Sequence, residues 1–211
     1  MAGRKRLLVE GPDDEHVIKH LCGNRNGPVV DVTQHGGIDR LLETLHLRLR
    51  EANGDGDAVG IVVDADTDLP ARWQSLRGRL IQAGYQDVPQ IPGANGTILE
   101  PPADPQSLLP RVGVWIMPDN RTTGILEDFL RLLVPQNSRL FAHVEASVRS
   151  IPAGERRFSA VAEPKALIHT WLAWQQEPGK RLGTAITAGF LDADAPEATE
   201  LVIWLNRLFQ S

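Results

Sequence analysis

Two short stretches concentrate carboxylates directly behind apolar runs. In LLVEGPDDE, the acids Glu10, Asp13, Asp14 and Glu15 fall within six positions, with a Gly-Pro turn after the first. In VVDADTD, the acids Asp64, Asp66 and Asp68 alternate behind the apolar run AVGIVV. Converging carboxylates repel one another and lose hydration, which costs stability unless a cation joins them. Hard oxygen ligands suit Mg²⁺ or Mn²⁺ rather than zinc. Each piece alone has a plainer reading. Asp13, Asp14 and Glu15 favour a helix N-terminus by charge, and Asp66 and Asp68 suit caps and turns. Position separates the two readings. A cap needs one short polar residue, not a Glu at the end of a buried strand and D-x-D-x-D behind another.

The elements that must position these acids follow from hydrophobic pattern. Residues 6–10 read as a short buried strand. Pro12 opens a helix whose apolar face is Val17, Ile18 and Leu21. Residues 28–32 read as a second, β-branched strand. Gly36-Gly37 turn the chain into a helix carrying Ile38, Leu41, Leu42, Leu45 and Leu49 at helical spacing. Residues 58–66 form the strongest strand, apolar on both faces, as in a parallel sheet covered by helices on both sides. Thr67 or Asp68 caps the next helix, which runs to Gly84. Short strands are expected at Thr97–Leu99 and 112–117, and GILEDFLRLL returns to helix. Beyond residue 136 the chain reads as helical, with candidates at 142–151, 164–176 and 195–209. The fold class is therefore α/β, an open and mainly parallel four-stranded sheet flanked by helices, with a helical C-terminal extension. Residues 1–135 form the α/β part, and residues 136–211 pack on it as one structural unit.

In an open parallel sheet, ligands bind beyond the carboxyl ends of the strands. Glu10 ends the first strand, and Asp64 and Asp66 end the third. Being two residues apart on extended backbone, Asp64 and Asp66 are expected to point the same way. Asp14 lies four residues after Glu10, in the first turn of the adjoining helix. If the two strands are neighbours, these acids meet at one edge.

Composition narrows the classes. The 211 residues carry a net charge of −5, with 42% hydrophobic and 23% charged residues, ordinary for a soluble globular protein. Binding that relies on a broadly basic surface is disfavoured, so contact with nucleic acid would be local and made through bound cations. No apolar run reaches the roughly 18 residues of a membrane helix, and the N-terminus lacks the apolar core of a signal peptide. The single Cys22 cannot form an internal disulfide and fits a reducing cytoplasm.

LLVEGPDD resembles the first motif of the Toprim domain, a Glu-Gly at the end of strand one, and VVDADTD resembles its second, Asp-x-Asp after strand three. The resemblance covers roughly residues 5–130. Toprim domains occur in topoisomerases, bacterial primases, recombination proteins and OLD-family nucleases. Through PDNRTTGILEDFL and KALIHTWLAW the chain is also similar to small stand-alone Toprim-like proteins of the DUF3226 type. The resemblance implies that Glu10 is a metal ligand or general acid/base and that Asp64 and Asp66 bind metal. Asp14 resembles the acid of a second metal in OLD-type nucleases, and Glu127, with Asp128 as its near substitute, a later acidic ligand. Lys165 matches a downstream lysine by order in the chain. The implied arrangement puts one Mg²⁺ or Mn²⁺ on Glu10, Asp64 and Asp66 and another on Asp14 and Glu127. The implied activity is phosphodiester hydrolysis in DNA or RNA, with Lys165 stabilising transition-state charge. The chain has no ATPase, tyrosine or zinc-binding module of the larger relatives. A non-catalytic module holding a metal, nucleotide or protein partner, or a subunit acting with a separate ATPase, stands as the alternative.

Other candidates have simpler explanations. His16 and His20 share a helix face at a zinc-binding spacing but have no evident third ligand. Gly36-Gly37 could hold a phosphate or simply turn the chain. Arg149, Arg156, Arg157, Lys180 and Arg181 could grip a nucleic-acid backbone or form a solvated basic face. Trp171, Trp174 and Trp204 have core-like spacing.

Overall fold

A computed structural model describes residues 3–54, 56–104 and 107–209, so the outer ends of the two expected segments, residues 1–2 and 210–211, lie outside the described residues. Among the described residues, five strands form one sheet: β1 (Lys5–Val9), β2 (Asp31–Gln34), β3 (Ala58–Asp64), β4 (Thr97–Leu99) and β5 (Arg111–Met117), in the order β2-β1-β3-β5-β4. β2, β1, β3 and β5 are parallel to their neighbours, and β4 is antiparallel to β5. The sheet is thus mixed and five-stranded, not the four-stranded one expected. The cause lies in the connection. Among the described residues no helix bridges β4 and β5, and without a crossover a neighbouring strand returns antiparallel.

Among the described residues, eight α-helices complete the fold: α1 (Pro12–Asn24), α2 (Ile38–Glu51), α3 (Leu69–Ala83), α4 (Leu126–Leu132), α5 (Arg139–Arg149), α6 (Glu163–Ala173), α7 (Leu182–Thr187) and α8 (Pro196–Phe209). Two apolar clusters sandwich the sheet. Leu8, Val59, Ile61 and Val63 pack with α2 and α3. Leu7, Val9, Val62 and Trp115 pack with α1, α4 and the C-terminal helices. This alternation makes β3 apolar on both faces. Among the described residues no helix is long and apolar enough to cross a membrane.

β2 begins three residues later than expected. Val29 is 95% exposed, so its β-branched stretch is unpaired extended chain, and pairing starts where Asp31 meets Arg6. Trp171 and Trp204 are buried as their spacing suggests. Trp174 is 43% exposed, because α6 ends just before it and turns it away from the core.

The C-terminal helices share one core with the sheet. Trp204, Leu208 and Phe209 of α8 lie in the same cluster as Leu7 and Trp115, and the Trp204 and Trp115 rings are 5.7 Å apart. The register partners Gly60 and Gly113 open the floor for that helix. A Cβ on Gly113 would come within 2.6 Å of a Leu208 methyl and 3.0 Å of the Trp204 ring.

Gly113→Val should therefore lower unfolding free energy by about 1–3 kcal/mol through overpacking. Gly78→Ala, on the exposed face of α3 with open space around it, should leave it unchanged or raise it by up to ~1 kcal/mol. Guanidinium unfolding checks both.

Candidate functional site

β1 and β3 are neighbours, so their ends meet. Val9 pairs with Val62, and the next residue, Glu10, turns its Oε1 to accept the backbone N–H of Asp64 at 2.8 Å. The turn after β2 secures the same segment. His35 N donates to the Val9 carbonyl at 3.1 Å, and Gly37 N donates to the Glu10 carbonyl at 2.9 Å. Gly36 and Gly37 have φ of +74° and +119°, backbone that glycine adopts without strain. The Gly37 N–H thus already has a protein acceptor, which favours the plain-turn reading of this pair.

Of the three acids after the Gly-Pro turn, only Asp14 faces inward. Asp13 is exposed, and Glu15 pairs with Lys19 along the helix. Asp14 is 7% exposed. Its Oδ2 accepts the Gly11 N–H at 3.0 Å, and its Oδ1 is buried without a hydrogen-bond partner.

The segment after β5 brings a fourth acid. Asp119 Oδ1 accepts from the backbone of Arg121 and Thr122, and Asn120 Oδ1 accepts the Ile116 N–H at 2.8 Å. Gly124 then exchanges two backbone hydrogen bonds with Asp66, at 2.8 and 2.9 Å. Asp128 Oδ2 accepts the Ile125 N–H at 3.0 Å and so caps α4. That leaves Glu127, 3% exposed, as the acid of this segment turned inward. Lys165, in the first turn of α6, places its Nζ 3.7 Å from Glu127 Oε1 while remaining more than half exposed.

The carboxylates feel one another. Burial, and then the charges of Asp14, Glu10, Glu127 and Asp66, push the Asp64 carboxyl up to about 9. Burial chiefly, with Glu10 and Glu127 adding to it, pushes Asp14 up to about 7 against the opposing Gly11 hydrogen bond. Glu10 is also raised, mainly by burial; the Asp64 N–H and Arg72 oppose the shift, and Asp66 and Asp39 add to it. The Oδ1 of Asp64 is buried without a partner, like that of Asp14.

Asp66 departs from expectation. The chain leaves extended conformation, and Asp66 sits at φ +53°, so its side chain is not carried parallel to that of Asp64. It pairs instead with Arg72. The Nε of Arg72 donates to the Asp64 carbonyl at 2.8 Å. Arg72 and Asp39 are the site neighbours that the motifs did not single out. The available signals were an arginine eight residues after Asp64, in the first turn of α3, and an acid two residues after the glycine pair.

The donor set fits a hard divalent cation in chemistry: it is all oxygen, and two buried carboxylate oxygens lack any partner. Among the described residues, however, no group of three or more His, Cys, Asp or Glu side chains stands arranged to hold an ion. Binding would have to draw the carboxylates together. His16 and His20 face each other with Nε2 atoms 3.1 Å apart, and the second ring nitrogen of His20 meets Thr187 Oγ1 at 2.7 Å. In the basic set, Arg156 pairs with Glu163, Arg157 with Glu155 and Lys180 with Glu177. Those pairings reduce the charge offered to a nucleic-acid backbone.

Residues 4–210 match the family DUF3226, described as a protein of unknown function. The chain belongs to that family. No curated protein and no solved structure matches it.

The crowded edge should make the stability of this DUF3226 protein depend on pH. A carboxyl raised in the folded state holds its proton where the unfolded chain, near 3.8, has lost it. Stability from Asp14 and Asp64 is therefore full below that value and is lost as pH rises through about 7 and about 9. The metal-free protein should lose stability as pH is raised from 5 to 9. The loss is on the order of 1.4 kcal/mol for each pH unit over which a carboxyl keeps its proton only in the folded state. The melting temperature should fall accordingly. Asp64→Asn should raise it by several degrees at the alkaline end and flatten the slope. Scanning calorimetry in chelator reads both, and a lower melting temperature for the variant would assign Asp64 to structural capping.

Proposed function

We propose that the carboxyl edge binds Mg²⁺ or Mn²⁺ and that the protein is a metal-dependent phosphoryl-transfer enzyme, a nuclease acting on phosphodiester bonds. The observation that carries this reading is the pair of buried, unpartnered oxygens on Asp14 and Asp64, on a sheet edge that also gathers Glu10 and Glu127. A scaffold gains nothing from concentrated repulsion, whereas a divalent cation turns it into binding energy. The Toprim-like order of Glu-Gly and Asp-x-Asp motifs supports the same reading.

The residues divide by role. Asp14, Asp64 and Glu127 would hold the ion, and Glu10 braces the edge through the Asp64 N–H. A divalent ion there supplies Lewis-acid polarisation of a phosphate and activation of water. Glu10, raised by burial, is suited to accept or return a proton beside the reacting group. Lys165, paired with Glu127 and more than half exposed, would meet the extra charge that develops on phosphoryl oxygens. Because the chain has a net charge of −5, the nucleic acid would be held locally, at this edge.

The purified protein should cleave plasmid or single-stranded nucleic acid when Mg²⁺ or Mn²⁺ is added. Glu10→Ala and Asp64→Ala should each lose roughly 100-fold or more, and Lys165→Ala roughly 10- to 100-fold. A gel assay with chelator controls measures this. Metal-induced stabilisation without cleavage would instead fit a binding module or a subunit needing its partner. Neither cleavage nor stabilisation would remove the metal-site reading.

A further inference from the structure

We propose that the open groove between α2 and α3, which starts near the carboxyl edge, holds the phosphodiester backbone of a single nucleic-acid strand. This rests on the phosphodiester reading above and names where the substrate strand lies beyond the reacting bond.

Both helices start at the edge. The Gly37 N–H, at the head of α2, donates to the Glu10 carbonyl, and Arg72, in the first turn of α3, donates to the Asp64 carbonyl. The helices lead away from the strand ends with a groove of about 810 Å³ between them. Its α3 wall, from Gln74 to Ala83, is about 14 Å long. Packed helix axes lie about 8–10 Å apart, whereas the major groove of a duplex is alone about 12 Å wide. The groove therefore admits a single strand and keeps a duplex above it.

Charge on this face opposes that of the molecule. The net charge is −5, yet α3 carries Arg72, Arg77 and Arg79 and no acid. Arg48 pairs with Glu51 and Arg72 with Asp66. Among the described residues, Arg50 and Arg79, which line the groove, form no ion pair, and Glu43 is the one carboxylate on its walls. Arg79 is fixed in place. Its Nε donates to the Leu42 carbonyl of α2 at 3.1 Å, and one terminal nitrogen donates to the Ser75 carbonyl and hydroxyl at 3.0 and 2.9 Å. These acceptors are neutral, so they orient the guanidinium and leave its charge for a ligand. A fixed planar fork suits phosphate oxygens.

Gly78 agrees with this assignment. It sits in the middle of α3, where glycine weakens a helix. Its φ is not positive, and a Cβ there would meet nothing within 4 Å. Neither backbone conformation nor packing calls for glycine. On the groove wall it lets a strand approach the helix backbone beside Arg79.

Binding is read apart from cleavage by fluorescence anisotropy of a labelled oligothymidylate, with the full chain in chelator, from about 50 to 200 mM salt. The wild type should bind, more weakly as salt rises. Arg50→Gln and Arg79→Gln should each weaken binding roughly fivefold or more and reduce the salt slope by about 0.7. Gly78→Met should weaken binding without lowering the melting temperature. Glu43→Gln should tighten it, and Arg149→Gln, on α5, should leave it unchanged. Circular dichroism establishes that each variant is folded. No strand binding by the wild type, wild-type binding by the folded arginine variants, or a mononucleotide or duplex bound as tightly as the strand would overturn the groove assignment and leave the nuclease reading to its own assay. Strand binding that these variants lose, with no cleavage by the wild type in Mg²⁺ or Mn²⁺, would overturn the nuclease reading and keep the groove.

Discussion

Negative charge held out of water at the ends of β1 and β3 is the constraint to which the surrounding structure responds. An ionised carboxylate loses several kcal/mol when it leaves solvent, and the loss grows when its neighbours carry the same charge. The fold answers with backbone N–H donors to Glu10 and Asp14, with Arg72 against Asp66, and with Lys165 near Glu127. None of these reaches the buried Oδ1 atoms of Asp14 and Asp64. Burial and the neighbouring charges accordingly push both carboxyls upward, toward holding their protons. The rest of the molecule can carry that burden because β3 and β5 are covered on both faces.

Most polar residues around the edge are scaffolding. Asp119, Asn120 and Asp128 bind backbone groups of their own turn, and Gly124 joins that turn to Asp66. Their combined effect is to deliver Glu127 from the far side of β5 to the neighbourhood of Asp64. The glycine pair after β2 does similar service for Glu10 by donating to its carbonyl. A site assembled from four separate segments is thus held by backbone hydrogen bonds, which resist repulsion between side chains better than rotamer preference alone.

Much of this could be read in the sequence because parallel strands leave an unmistakable mark. An unbroken apolar run such as AVGIVV is buried on both faces, and a strand end in such a sheet is where ligands collect. Helix limits followed from Pro12, Asp68 and Gly84, whose conformational demands are local. Three features escaped. The slip of β2 depends on where its partner begins, which β-branching at Val29 and Val30 does not encode. The orientation of Asp66 depends on a left-handed residue and on a bridge to Gly124, nearly sixty positions away. Arg72 looks like any helix-surface arginine until the tertiary fold sets it against the Asp64 carbonyl. The short antiparallel β4 was legible as a strand, but its direction followed from the helix-free connection to β5.

The central claim is that the crowded carboxylates form a place for a hard cation. Anomalous diffraction from a crystal soaked at neutral pH in millimolar Mn²⁺ tests it most directly. The expected result is a peak bounded by Asp14, Asp64 and Glu127, with their side chains drawn toward it. A map with no peak at this edge would contradict the claim and leave the carboxyls as proton-bearing elements of the fold.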